Sequence, residues 1–272
     1  MSVDIDKLYE EVLFSQVRVK TEKVGGSGTI IYSAPSENTK IYSTYVITCH
    51  HIISSALSVR KDWDSKLGRE KKREFRQLVT TEFFDWSNVP HGSRPVNYST
   101  DAEILAYDKD HDMALLKLRT VKTASYVAEI LHPDYVEGLR VGHPVWAVGA
   151  ALLHDPILTD GIITHMGDDI DFKYYWMSNA PIIFGNSGGA VFAETSNGYK
   201  FIGIPSRVAI VGWSSVVTHI GYFSPVTRVY EFFREQLFDF LIPGSKETEA
   251  SCEIKRKDRA EREEKKALVE EE

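Results

Sequence analysis

The segment FGNSGGAVF, residues 184–192, sets Ser187 among Gly185, Asn186, Gly188 and Gly189 and then runs straight into apolar residues. Two uses fit such a stretch. One is a tight turn, because Gly and Asn tolerate positive φ and let one backbone cross close to another. The other is a nucleophile loop, in which the glycines aim backbone N–H groups at a point beside the serine hydroxyl and leave no side chain in the way of a substrate carbonyl. Separating the two requires a base for Ser187 and a group that holds the base.

The rest of the composition bounds the answer. A chain of 272 residues, 43% hydrophobic and 11% aromatic, can build one large or two small domains with a sizeable core. Its formal charge of −7 disfavours nucleic acid or an anionic membrane as the main partner. Cys49 lies in an apolar, strand-like run and Cys252 in a charged tail, so a structural disulfide is not expected, and no Cys/His spacing suggests a metal. The start, MSVDIDKLYEEVLF, carries acids where a secretory leader would carry bases, which favours a cytoplasmic protein. No stretch approaches the roughly 20 apolar residues that span a bilayer, so membrane insertion is not expected.

Between the ends run short apolar or alternating segments, among them SQVRVKT, IYSTYVITC, MALLKLRT, HPVWAVGA and YKFIGIPS, divided by Gly, Pro, Asn and Asp. Their β-branched and aromatic content predicts an all-β sandwich or pair of barrels. Helix is expected only at the margins: Ile5, Leu8, Val12 and Leu13 at helical spacing over residues 4–14, and VTRVYEFFREQLFDFL over 226–241. Residues 60–78 are mostly charged and helix-compatible, and with the following stretch they read as an insertion over about 60–97. Its basic cluster, residues 66–76, reads either as a solvated helix face or as a contact for phosphate or an acidic partner. The mixed-charge tail 242–272 reads as a solvated helix or a disordered segment.

For the base, YVITCHHII ends an apolar run on two adjacent histidines, His50 and His51, of which only one can face a serine if the run is a strand. Either also fits a plain strand-end histidine bonded to a carbonyl. For the orienting acid, KDHDMALLKL places Asp112 immediately before an apolar strand, with Asp108 and Asp110 farther out on a polar turn. A carboxylate at that point can fix a histidine tautomer and stabilise the imidazolium. Cys49 is a poor nucleophile for a base two residues away on the same strand.

Taken together, these segments resemble the chymotrypsin-fold serine proteases. VITCHHII resembles the His segment and selects His51. DMALLKL resembles the Asp segment and selects Asp112, and GNSGGAVF resembles the Ser segment and selects Ser187. Their order, His, Asp, Ser, is that of this fold. GGSGTIIYS, LRVGHPVWAVG, LTDGIITHM and IGYFSPVTRV further resemble the HtrA-like trypsin-like peptidases over about residues 14–232, without a following PDZ module. Two departures stand out. Ala190 replaces the usual Pro, and Asn186 replaces the Asp that zymogen-type enzymes pair with a newly cut amino terminus.

The resemblance implies two six-stranded antiparallel β-barrels, at about 15–125 and 126–225, within a domain spanning 1–241. It implies a serine endopeptidase acting through an acyl-enzyme on protein or peptide substrates, with no cofactor or metal. His51 would serve as base and then acid, Asp112 as its ionised partner and Ser187 as nucleophile. The Gly185–Asn186–Ser187 backbone would form the oxyanion hole. An ungapped count puts Pro181 at the floor of the primary pocket, and the apolar surroundings imply an aliphatic or uncharged side chain at the cleaved position. Ile183 and Ile204 are candidate pocket walls and are also readable as core. The other reading is a catalytically silent binding protein of the same fold.

Overall fold

Among the described residues the chain forms fourteen strands, most of them bounded by turn residues. In chain order they follow α1 (Ile5–Leu8): β1 (Gln16–Lys20), β2 (Gly25–Pro35) and β3 (Tyr42–Thr48), then α2 (His50–Ile53). Next come β4 (Leu57–Asp64), β5 (Arg69–Arg76), β6 (Val79–Asp85), β7 (Val96–Asp108) and β8 (Met113–Thr120). The second half holds β9 (Pro144–Gly149), β10 (Ile157–Ile170), β11 (Lys173–Ser178), β12 (Ala190–Thr195), β13 (Gly198–Val211) and β14 (Ser215–Pro225). The helices α3 (Val226–Glu235) and α4 (Glu249–Val269) complete the chain. The computed structural model describes residues 4–35, 41–64, 68–86, 95–171, 173–212 and 215–269.

Strands β1-β2-β3-β8-β7-β6 form an antiparallel ring closed by β1 against β6. Strands β10-β11-β14-β13-β12-β9 form the second sheet, with β9 paired to β10. Burial alternates along β6 and the inner half of β7, as a strand with one face on a core requires. The first nine residues of β13 are all buried, because this strand also packs beneath the N-terminal turn and α3. The main core crosses from the first barrel, through Val17, Val46 and Leu116, to Phe192, Phe201 and the α3 residues Val229, Phe232 and Phe233. A smaller core of Val145, Ile163, Trp176 and Phe223 fills the second sheet.

The N-terminal segment forms one α-turn and a π-turn over Tyr9–Leu13, burying Leu8, Val12 and Leu13 but leaving Ile5 exposed. Glu11 accepts from Tyr199 N at 2.7 Å, so the segment is fastened to β13. The helix expected over 226–241 stops at Glu235, because Leu237 takes a positive φ of 58° and Phe238 N turns back to Phe233 O. A separate turn follows over Asp239–Leu241.

One charged segment differs from its sequence reading. The helix-compatible stretch 60–78 is instead a two-stranded ribbon, β4 against β5, registered from Leu57↔Arg76 to Asp64↔Arg69. The helix preference of Lys, Arg and Glu is small enough for tertiary context to override, and here cross-strand pairing and Gly68 at φ 65° set the conformation. Residues 79–85 and 96–97, also placed in the insertion, are barrel strand; residues 65–67 and 87–94 of it lie outside the described residues.

The tail takes the helical form, and one end of it is docked. Glu249 accepts from Tyr45 Oη and from Lys117 Nζ, each at 2.6 Å. Cys252 is buried, and the Arg256 guanidinium lies 4.0 Å from the Phe238 ring centroid while donating to Leu237 O. Burial pushes the Glu249 carboxyl up, but the bonds from Lys117 and Tyr45 outweigh it and hold the group below its usual range. Its stabilising contribution is therefore complete above the ordinary carboxylate pKa, about 4.3, and is lost as pH falls through the lower folded value. Glu249→Ala should leave Tyr45 Oη and Lys117 Nζ without their acceptor and destabilise the helix contact by about 1–3 kcal/mol. Faster amide exchange in 249–259, with the barrel strands unchanged, is the expected measurement.

Candidate active site

Asp112 caps the turn into β8 and is one of few non-glycine residues with positive φ, at 56°. Asp tolerates that conformation better than most residues, and here it turns the carboxylate away from the strand and toward α2. Asp112 Oδ1 accepts from His51 N at 2.9 Å and Oδ2 meets His51 Nδ1 at 2.7 Å. Ser206 Oγ donates to the same Oδ2 at 2.8 Å. Burial raises the Asp112 pKa, yet the hydrogen bonds and charge of His51, with Ser206, more than compensate and leave the carboxyl below its usual range. Asp112 is thus an anion at neutral pH, and its two-point hold on His51 fixes both the backbone and the ring.

The neighbouring polar groups are otherwise engaged. His50 packs on the Tyr107 ring with centroids 5.1 Å apart, and burial lowers its pKa. His111 Nδ1 pairs with Asp108 at 2.6 Å, so one competitor for Asp112 has its own histidine. Cys49, with Asp112 and His51, forms a compact group of potential metal ligands. The thiol is fully buried and its pKa is pushed well above the ordinary value by burial and by Asp112. It donates to Pro205 O at 3.4 Å, which suits packing better than metal ligation or attack.

The serine loop lies against this group. Gly188 N donates to Pro205 O at 3.0 Å, and a Cβ on Gly188 would collide with Ser27 O and Thr48 Oγ1. Gly185, at φ 95°, would bring a Cβ to 2.5 Å from Ala150 O and 2.6 Å from Leu152 N. Only glycine fits either position. Asn186 is buried and folds the loop on itself: its Oδ1 accepts from Ile183 N at 3.0 Å and its N donates to Ile183 O at 3.1 Å. Asn186 N is therefore committed within the loop and is not a free donor for an oxyanion. Among the described residues the amides of Gly185 and Ser187, the Ser187 hydroxyl and His51 Nε2 have no hydrogen-bond partner.

A residue whose role the sequence did not disclose ties the loop down. Ser27, wholly buried, donates from its N to Ser187 O at 2.9 Å and from its Oγ to Gly185 O at 2.6 Å. Its Oγ accepts from Ala150 N at 2.7 Å, and its O accepts from Thr48 Oγ1 at 2.6 Å. Ser27 thereby turns both flanking carbonyls of the loop inward and leaves the Gly185 and Ser187 N–H groups available. Ser206 was likewise missed. The signal for both is a small polar residue embedded in a buried run, which must find a partner.

The pocket candidates divide. Pro181 and Ile183 are half-buried beside the loop, and Pro181 O accepts from Thr159 Oγ1 at 2.9 Å. Ile204 is completely buried in the main core, so of its two readings the structure takes core, and it offers no surface to a substrate.

The trypsin-like peptidase domain family matches residues 26–204, and the chain belongs to that family. Among solved structures it is similar to a serine endoprotease from Yersinia pestis, with TM-score 0.58 and 17% identity over 88% of this chain and 69% of that one. It is also similar to the HtrA-type protease AlgW solved with a tripeptide, with TM-score 0.59 and 19% identity over 88% of this chain. The chain spans 64% of that protein's length. No curated protein matches the sequence. Among the described residues no helix is long and apolar enough to cross a membrane.

Ser27→Ala removes the bond to Gly185 O and leaves Ala150 N unpaired in a buried site. The expected outcome is a loss of turnover of about 10–100-fold with KM little changed, corresponding to about 1–3 kcal/mol. A loss carried by KM alone would show that Ser27 does not order the loop.

Proposed function

We propose that the chain is an endopeptidase that cleaves protein or peptide substrates through His51, Asp112 and Ser187. The observation that carries the reading is the His51–Asp112–Ser206 arrangement next to a loop with two uncommitted amides and an uncommitted serine hydroxyl. With Asp112 on Nδ1, His51 presents Nε2 as the base toward Ser187. Catalytic hydrogen bonds are often loose without substrate and tighten when it binds. Ser187 Oγ then attacks the carbonyl carbon as its proton passes to His51 Nε2, and the carbonyl oxygen becomes an anion facing Gly185 N and Ser187 N. Collapse of this intermediate expels the amine, which takes the proton from His51, and leaves an ester on Ser187. A water, deprotonated by His51, hydrolyses that ester.

In this reading residues 1–241 are the catalytic unit, built on two six-stranded barrels at about 15–125 and 126–225, and the charged tail that follows braces the first barrel through Glu249. Pro181 and Ile183, uncharged and half-buried beside the serine loop, border the primary pocket in this reading, which supports a preference for aliphatic or uncharged side chains. No metal or cofactor enters any step.

A fluorophosphonate probe should label the wild type and leave Ser187→Ala blank. A wild type that stays unlabelled would return the protein to the reading of a silent binding module. Asp112→Asn should lower kcat by about 10⁴-fold, since the amide no longer stabilises the imidazolium. Cleavage of a randomised peptide pool, read by mass spectrometry, should show aliphatic or uncharged residues before the cut; enrichment of Lys, Arg, Asp or Glu there would refute the pocket assignment.

A further inference from the structure

Strand β9 ends at Gly149, and the chain makes a tight turn over Ala151–Leu153 before β10 begins. In that turn Leu152 has φ 50° and ψ 28°, and Leu153 has φ 59°. Among the described residues no other two neighbours both take positive φ. The left-handed region crowds a Cβ, and Gly or Asn would occupy it at less cost than leucine. Strain of this kind persists only where the surroundings over-determine the backbone. Here they do. Leu152 N donates to Phe184 O at 2.7 Å, Leu153 N to Ala150 O at 2.8 Å, and Arg18 Nη1 to Leu153 O at 2.5 Å.

Those bonds account for the backbone and leave the side chains without a reason. Leu152 is 61% exposed, Leu153 42% and Phe184 57%, and none of the three belongs to either core. Phe184 directly precedes Gly185, so this apolar surface stands at the rim of the serine loop. Arg18, the cation that bonds the turn, is committed to Glu82 and to Leu153 O, and the charged-type residues His154 and Asp155 follow only after the turn.

The side of the cleft follows from the proton transfers. In the peptidase reading, on which this inference rests, His51 protonates the leaving amine, so the departing segment lies toward α2 and the strand entry beneath it. Ile52, beside His51, covers Gly26, where a Cβ would fall 2.5 Å from Ile52 Cδ1 and 3.1 Å from Ser187 O. One residue earlier Leu153 covers Gly25, its Cδ2 2.8 Å from such a Cβ. The departing segment therefore runs from Ser187 past Gly26 and Gly25 to Leu153. Alternate side chains of an extended chain share a face, so the second residue after the cut turns the same way as the one in the primary pocket, toward the serine loop and Phe184.

We propose that Leu152, Leu153 and Phe184 receive an apolar side chain at the second substrate residue after the cut bond, so that the peptidase selects on both sides of that bond. The strained turn is retained because its leucines supply a contact that Gly or Asn could not.

The test uses two internally quenched peptides with one sequence taken from the pool experiment, differing only in Leu or Asn at the second position after the cut. The wild type should cleave the Leu peptide with a kcat/KM about tenfold above that of the Asn peptide. Leu152→Asn/Leu153→Asn introduces side chains that tolerate positive φ and should bring the ratio to about one. Its melting temperature should stay level or rise, whereas leucines with a purely structural role would lower it and slow both peptides alike. Should the double variant fail to fold, Phe184→Ala decides: its carbonyl still accepts from Leu152 N, and the ratio should fall about threefold. A wild-type ratio near one, or a ratio that the folded variants keep, overturns the contact, while fluorophosphonate labelling leaves the peptidase standing. If no peptide is cut and no label is taken up, the peptidase reading falls, and anisotropy of the two labelled peptides on Ser187→Ala reads the contact alone. Tighter binding of the Leu peptide, lost when both Asn substitutions are added, supports it; equal binding, or none, overturns it.

Discussion

The hydroxyl of Ser27 donates to Gly185 O while accepting from Ala150 N, and the Ser27 amide and carbonyl bond Ser187 O and Thr48 Oγ1. One residue of β2 in the first barrel, through its side chain and its backbone together, thus joins the serine loop, the turn after β9 and the strand leading to His51. Interiors are close-packed and these contacts are buried, so the serine loop cannot shift without breaking several bonds at once. The consequence is electrostatic. Carbonyls on either side of Ser187 are drawn inward, and the amides that would face a developing oxyanion are held in place before any substrate arrives, which is where preorganised dipoles are most effective.

On the histidine side the same logic uses charge. Asp112 receives the His51 amide, the His51 ring and the Ser206 hydroxyl, and those bonds keep it ionised despite its burial. An unpaired carboxylate in that position would take up a proton, and the ring would lose its preferred tautomer. Asn186 completes the scheme by bonding within its own loop, so the loop's shape does not depend on a partner from a cut amino terminus.

The candidate residues could be picked out of the sequence because they sit beside strong local signals: His51 and Asp112 adjoin apolar strands, Ser187 lies among glycines, and their order along the chain is that of the chymotrypsin fold. Ser27 and Ser206 were opaque because a buried hydroxyl declares its need for a partner without identifying it, and both partners are far away in sequence. Ile204 could be pocket or core until its neighbours were known, since an apolar strand residue reads the same in either place. The charged stretch 60–78 was misread for another reason. The 60–78 stretch and the tail have similar composition, and what makes one a ribbon and the other a helix is a cross-strand register in the first case and the anchoring of Glu249 in the second. Neither is a property of a short window of sequence.

Cys49 and Cys252 are both free and both fully buried. Thiol reagents attack exposed thiolates, and neither sulfur offers one. The native protein is accordingly a silent background for maleimide chemistry: a cysteine introduced on the surface would be the sole site to take up a fluorophore or spin label, with no native residue needing to be replaced.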